Sequence, residues 1–268
     1  MIGIIGAGNM GKAIAQGMGQ RVLISDADPR KLRSARNRRC VAVRGNIDLT
    51  KRSNVVILAV KPRHILKVLK EIKPYVKSRL IISIAAGVET RRIEKMLGRA
   101  RVIRVMPNMP LMAGKGISAV AKGRFSQKKD LAVAQRIFSK RGEVVRVKED
   151  LMDAVTAVSG SGPAYYFLFT DLLEKAARAC GLKKGLAEKL ALATFIGAAA
   201  SADAANISMQ VLVKKVASKG GTTEAALKIF KQKGLERIIK QAVQAALKRS
   251  RCLKNALHFS PGLNGKAF

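Results

Sequence analysis

The amino-acid sequence predicts an α/β domain with a mostly parallel sheet, followed by an all-α domain. Three observations carry this. Short apolar runs alternate with helix-like stretches up to about residue 150, the pattern of strands joined by crossover helices. The first run ends in a glycine turn that opens a helix. After Asp150 the strand pattern stops and long apolar helical stretches take over. The expected division is 1–150 and 151–268.

The first strand holds Ile2, Ile4 and Ile5 and runs straight into Gly6-Ala7-Gly8-Asn9-Met10-Gly11, with a helix-like stretch from Lys12 to Gly19. Strand, glycine turn and helix in that order form the G-x-G-x-x-G fingerprint of dinucleotide binding. Gly6 permits the sharp turn, Gly8 lets backbone approach a pyrophosphate, and Gly11 brings helix and strand together. The free N–H groups and positive end of that helix would hold the phosphates. All six residues from 6 to 11 are therefore candidate cofactor ligands.

Val22-Leu23-Ile24-Ser25 reads as the second strand, and Asp26 ends it 20 residues after Gly6. An acid there accepts hydrogen bonds from the adenine ribose and favours NAD. Arg30, Lys31 and Arg33 lie close by and would instead meet a 2′-phosphate; a third reading is that Asp26 merely ends the strand. NADH and NADPH both stay open. Asp28-Pro29 reads as an N-cap with proline in the first turn.

A third short strand, 40–43, leads to Asn46 in a loop. The unbroken apolar run 55–60 is the pattern of a strand buried on both faces. It stops at Ala59-Val60-Lys61-Pro62, where proline starts a basic helix carrying Lys67, Lys70, Lys73 and Lys77 at surface spacing. The run 80–84 stops in the same way, at Ala85-Ala86-Gly87, before a helix over 89–97. Small residues at a strand end leave room for a flat ligand, and in an open α/β sheet ligands collect at these carboxyl ends. The turns at 6–11, 59–62 and 85–87 should line one edge. A strand over 102–106 ends in Pro107-Asn108-Met109-Pro110, a turn held by two prolines against which a nicotinamide or substrate would pack at Asn108. Strands at 117–121 and 144–147, with a helix at 128–140 between them, complete this half.

The second half begins with Ser159-Gly160-Ser161-Gly162-Pro163, read as a loop and N-cap before a long helix. Helices are expected over 163–180, 185–204 and 208–217. The nearly uncharged stretch 190–202 is too short to cross a bilayer and reads as a buried helix. Some of these helices are apolar all round and need a partner surface, which suggests an interlocked dimer. Next comes Ser218-Lys219-Gly220-Gly221-Thr222-Thr223-Glu224. Paired glycines and two threonines before a helix make either a small carboxylate site or an ordinary threonine-capped turn. The tail from about Ser250, with Pro261, Gly262 and Gly265, reads as irregular.

Bulk properties narrow the classes. Lys and Arg total 52 against 17 Asp and Glu, 34 against 10 up to Asp150 and 18 against 7 beyond it. The excess is spread over both halves and supports solubility and attraction of anions. Eight Phe, three Tyr and no Trp show no stacking pattern among the basic residues, which argues against a specific nucleic-acid function. Cys40, Cys180 and Cys252 are far apart and read as small core residues. With only His64 and His258, no metal set is expected. An odd cysteine count, and a first strand starting directly at Met1, point to the cytoplasm rather than export.

Taken together the chain resembles the pyrroline-5-carboxylate reductase family. The resemblance rests on Ile-Gly-Ala-Gly-Asn-Met-Gly at 5–11, Ala-Val-Lys-Pro at 59–62, Ala-Ala-Gly at 85–87 and Met-Pro-Asn at 106–108, with Ser-Gly-Ser-Gly-Pro-Ala-Tyr at 159–165 and Ser-Lys-Gly-Gly-Thr-Thr at 218–223. It implies a Rossmann domain followed by a helical domain that interlocks with a second subunit, in dimers often assembled into a decamer. It also implies reduction of 1-pyrroline-5-carboxylate to L-proline by NADPH or NADH. The cofactor would lie at 6–11, Asn46, 59–62 and 85–87, and the substrate carboxylate at Ser218, Gly220, Gly221, Thr222 and Thr223. Thr223 is the candidate catalytic hydroxyl, near the ring nitrogen. Met109 stands where the family often has threonine, and Asn206 where it commonly has glutamate; both put fine substrate choice in question. The alternatives are a related imine reductase or 3-hydroxyacid dehydrogenase, for which Lys214, Lys215 and Lys219 offer a proton donor, and a basic nucleic-acid-binding protein.

Overall fold

Eight strands form one sheet in the computed structural model, which describes residues 1–256. They are β1 (Ile2–Ile5), β2 (Val22–Ser25), β3 (Cys40–Ala42), β4 (Val55–Leu58), β5 (Leu80–Ser83), β6 (Arg101–Pro107), β7 (Gly116–Lys122) and β8 (Gly142–Arg146). Their order is β3-β2-β1-β4-β5-β6-β7-β8, parallel throughout except between β6 and β7. The order reverses direction between β1 and β4, and a switch point of this kind opens a crevice at the carboxyl ends of the strands. The register keeps those ends level: Ile5 pairs with Ser25 on one side and Leu58 on the other, and Leu58 pairs with Ser83.

Alternation along each strand sends side chains to opposite faces, and both faces are filled. Ile4, Ile24, Ile57, Ile82 and Ile103 pack with Ile14 of α1 (Asn9–Gly17) and with Ala134, Ile137 and Phe138 of α6 (Lys128–Phe138). Ile5, Leu23, Leu58, Ile81 and Val102 pack with Leu49 of α3 (Asn46–Lys51), Ile65 and Leu69 of α4 (Pro62–Ile72) and Ile93 of α5 (Thr90–Leu97). The remaining helix of this part, α2 (Pro29–Ala35), is capped as expected by Asp28, whose side chain accepts from the Arg30 N–H.

Beyond the sheet the chain is helical: α7 (Met152–Val155), α8 (Gly162–Ala179), α9 (Lys184–Ala204), α10 (Met209–Val216), α11 (Thr222–Gln232) and α12 (Leu235–Ala256). Two compact units result among the described residues, Met1–Ser161 together with Ala246–Ala256, and Gly162–Ala245.

The structure departs from the sequence expectations at five places. Residues Thr156–Gly160 form a π-helical turn rather than a loop, with the Ser161 N–H donating to the Thr156 carbonyl at 2.9 Å. Pro163 lacks an N–H, so a wider turn ahead of it disrupts no further bond. The Thr156 and Ser159 hydroxyls donate to the carbonyls of Met152 and Val155, which supports the turn. Asn46 opens α3 instead of sitting in a loop, because Gly45 at φ 90° supplies the entry turn. Ser250 is helical and buried, its hydroxyl donating to Asp153 Oδ1 at 2.7 Å, so the chain is regular to Ala256. Pro261, Gly262, Gly265 and His258 lie outside the described residues.

The last two departures concern burial. Only Cys40 is a core cysteine, its thiol pushed up by burial; Cys180 and Cys252 are exposed in the single chain. The stretch 190–202 belongs to a 21-residue helix, α9, in which only Ala187 and Ala191 are buried. With a mean hydropathy of 1.2, α9 is long and apolar enough, by length and composition alone, to cross a membrane. It carries apolar residues on every side, so one chain has no surface that covers them all.

Candidate functional site

The glycine turn leaves β1 with Gly6 at φ 111°, a conformation open to glycine. A Cβ at Gly6 would press on the Ala59 carbonyl oxygen, and one at Gly11 would run into the Gly6 carbonyl oxygen. These two glycines therefore permit close packing of turn, helix and β4. Gly8 differs: a Cβ there would meet nothing within 4 Å. Its side faces open space at the start of α1, where the first turn holds no acidic residue and no side chain caps the helix. Unpaired N–H groups, the positive helix end and a clear approach fit a pyrophosphate.

The neighbouring strand ends assemble as expected. The Ala59 N–H donates to the Ile5 carbonyl at 2.8 Å and the Ile84 N–H to the Leu58 carbonyl at 3.1 Å. Those bonds place Ala59, Val60, Lys61 and Pro62, and then Ala85, Ala86 and Gly87, beside the glycine turn on the same edge. Gly87 takes φ 73°. Three of the predicted cofactor residues also serve the fold. Asp26 accepts from the Ala7 N–H at 2.7 Å and from the Asp28 N–H at 2.8 Å, so its carboxylate braces the glycine turn. Asn46 accepts from the Ser25 hydroxyl and donates to Glu71 Oε2, both at 2.8 Å, tying β2 to α4. Asn108 is buried and accepts from the Ile117 N–H at 2.9 Å, which closes the loop between β6 and β7. Met109 is exposed at the start of the 3-10 turn that follows.

The predicted substrate residues gather in the second unit. Gly220 has φ 72°, Gly221 is the N-cap of α11, and Thr222 and Thr223 are its first two residues. A Cβ at Gly221 would stand 2.5 Å from Ser218 Oγ, so glycine lets the serine side chain lie against the turn. The Gly220 N–H donates to Glu224 Oε2 at 2.6 Å, and the Gly221 N–H to the Ser218 carbonyl at 3.0 Å. Of the backbone N–H groups of Gly220, Gly221 and Thr222, the first two are thus engaged within the chain, while Thr222 occupies the first helical position, whose N–H has no partner inside the helix. A depression of about 560 Å³ adjoins the turn, lined among others by Gly220, Gly221, Glu224, Lys228 and Lys231. Lys219 follows Ser218 directly, and Asn206 is exposed just past the end of α9. Among the described residues no group of His, Cys, Asp and Glu is placed to hold a metal.

One cluster escaped the sequence reading. Glu149 lies in a 3-10 turn after β8, yet it accepts from both the Thr90 N–H (2.7 Å) and the Thr90 hydroxyl (2.6 Å) at the start of α5. Arg104, in the middle of β6 and 3% exposed, stands 3.6 Å from the same carboxylate. One turn along α5 the buried Glu94 has its carboxyl pushed up by burial, opposed by backbone N–H groups of Phe125 and Arg124. The available signal was Arg104 itself, a cation between the apolar pairs Val102-Ile103 and Val105-Met106, because a buried charge requires a partner.

A doubly wound sheet with a glycine turn at its switch point and a separate helical unit defines a dinucleotide-dependent oxidoreductase. Residues 1–87 match the family model described as NADP oxidoreductase coenzyme F420-dependent, and residues 149–253 match that of pyrroline-5-carboxylate reductase dimerisation. The chain belongs to the pyrroline-5-carboxylate reductase family. It is 37% identical to the pyrroline-5-carboxylate reductase of Synechocystis sp., over 93% of this chain and 96% of that one. The enzyme of that name from Pisum sativum is 33% identical, over 93% and 94%. Among solved structures, a pyrroline-5-carboxylate reductase from Coxiella burnetii superposes with a TM-score of 0.89 at 35% identity, covering 94% of this chain and 97% of the other. The Plasmodium falciparum pyrroline carboxylate reductase, solved with NADP bound, gives 0.84 at 29% identity, over 94% and 97%.

Proposed function

We propose that the chain reduces 1-pyrroline-5-carboxylate to L-proline with NADPH or NADH. One observation carries the cofactor half of this reading: the open space over Gly8 at an uncapped helix start, flanked by Ala59–Pro62 and Ala85–Gly87. When bound, the reduced nicotinamide supplies the hydride. Gly6 to Gly11 hold its pyrophosphate, Asp26 and Asn46 keep the adenosine end in shape, and Asn108 fixes the turn beside the ring. The substrate carboxylate is held by Ser218 and the turn Gly220–Thr223, where the Thr222 N–H at the start of α11 has no partner inside the helix, with the turn contributed across a subunit interface. Thr223 places its hydroxyl at the ring nitrogen of an imine that arrives protonated. Positioning of this kind is worth roughly 7–11 kcal/mol when geometry is good.

The residues from 151 onward serve substrate binding and dimerisation, with the division near 150 supported by the start of the dimerisation match at 149. The exposed apolar face of α9 is covered by a second copy of the chain rather than by lipid, and decamers of such dimers are the expected assembly. The setting is cytoplasmic, and the basic surface is a solvated one without a nucleic-acid partner. Oxidation of NADPH and of NADH, followed separately with pyrroline-5-carboxylate, tests the activity; no consumption of either nucleotide overturns it. A panel of 3-hydroxy acids and other cyclic imines, run with both nucleotides, separates the related enzymes.

A further inference from the structure

We propose that Glu149 is a positioning residue for the nicotinamide half of the site, acting through Thr90 on the Ala85-Ala86-Gly87 turn. The inference rests on the cofactor reading above. Helix α5 starts three residues after that turn, and its own N-cap, Glu89, makes no capping hydrogen bond from its side chain. The cap comes instead from 59 residues away: Glu149 accepts from the Thr90 backbone at 2.7 Å and from the Thr90 hydroxyl at 2.6 Å. Both carboxylate oxygens therefore hold one residue, which leaves Thr90 3% exposed and with little freedom. A carboxylate at a helix start is favoured by the helix dipole and by the unpaired N–H groups there. Arg104 anchors the carboxylate from β6, the strand paired with β5, out of which the turn emerges.

Between the β5 end and Thr90 lie six residues, and one further backbone bond within them, Val88 N–H to Ala85 carbonyl, is 3.3 Å long. Holding Thr90 thus sets where Ala85–Gly87 stand. Glu149 is also the residue at which the match to the dimerisation family begins to run, so the clamp ties the turn to the segment that leads into the helical unit.

The test uses the full-length protein and three variants. Glu149→Gln keeps the shape and removes the charge, Thr90→Val removes the hydroxyl, and Thr90→Ser keeps it. We expect Glu149→Gln and Thr90→Val to raise the Kd for NADP+ and the KM for the reduced nucleotide at least fivefold. The KM for pyrroline-5-carboxylate should stay within twofold, and Thr90→Ser should match the parent. Hydrogen exchange in the ligand-free protein should quicken in the peptide covering 84–92 and not elsewhere. Unchanged nucleotide affinity, an equal loss in every parameter, exchange quickened throughout the molecule, or failure of both main variants to fold would each overturn the clamp. A parent protein that binds no nucleotide would instead refute the cofactor reading itself.

Discussion

Both oxygens of Asp26 are taken by backbone N–H groups, those of Ala7 and Asp28, so its first effect is on the glycine turn and only then on a ribose. Asp26→Asn puts an NH2 opposite one of those donors. KM for NADH and for NADPH should therefore rise together, with the ratio of their kcat/KM values unchanged; steady-state rates with each nucleotide check this. Thr223, second residue of α11, is assigned the ring nitrogen. Thr223→Ala should lower kcat about tenfold or more, the loss of roughly one hydrogen bond to a charged group, and leave the Kd for NADP+ in place. Glu94 concerns stability alone. Its pKa in the folded chain lies above the ordinary 4.5 because burial penalises the charge. The folded state then holds its proton longer than the unfolded chain, so the contribution is favourable at low pH and is lost as pH rises above 4.5. Glu94→Gln should narrow that loss, and its gain in Tm over the parent should grow between pH 4 and pH 7 in calorimetry.

At the scale of elements, the glycine turn separates packing from binding. Gly11 faces the Gly6 carbonyl and Gly8 faces open space. Gly11→Ala forces α1 away from β1 and should cost about 1–3 kcal/mol of stability, the usual range for overpacking. Gly8→Ala should leave Tm within a degree or two of the parent, because in a helix N-cap position alanine meets no neighbour here, yet weaken nucleotide binding severely. Paired denaturation and binding measurements decide it: equal behaviour of the two variants would remove Gly8 from the pyrophosphate site. The π-turn at Thr156–Gly160 belongs at this scale too. A Cβ at Gly160 would stand 2.9 Å from the end of the Met106 side chain, so the turn packs against the last residues of β6.

At the scale of the whole molecule, the second unit has too little surface of its own to cover its apolar residues. Tyr166, Phe167, Leu168 and Phe169 on α8 and Leu190, Leu192 and Ile196 on α9 are all exposed in the single chain. Ile196→Glu places a charge where a second copy is expected to pack and should shift the protein toward monomer in sedimentation, with loss of activity if the substrate turn is shared between subunits. The net charge of +35 produces a long-range field that attracts anions.

The residues by themselves determined the strand–helix alternation, the switch to an all-helical half and the three small-residue turns. Each depends on neighbours in sequence: an apolar run, a glycine with φ above zero, a proline at a helix start. Ala59 and Ala85 were legible as turn residues because each lies within two positions of a strand end. Only the tertiary structure decided what pairs across distance. It assigned Asp26 to the Ala7 N–H, Glu149 to Thr90, and Ser250 to Asp153, contacts between residues 19, 59 and 97 positions apart. It also decided that α9 stays uncovered within one chain. A hydrogen bond of that kind has no periodicity for a sequence to carry, since its geometry exists only once the sheet has brought both partners to the same place.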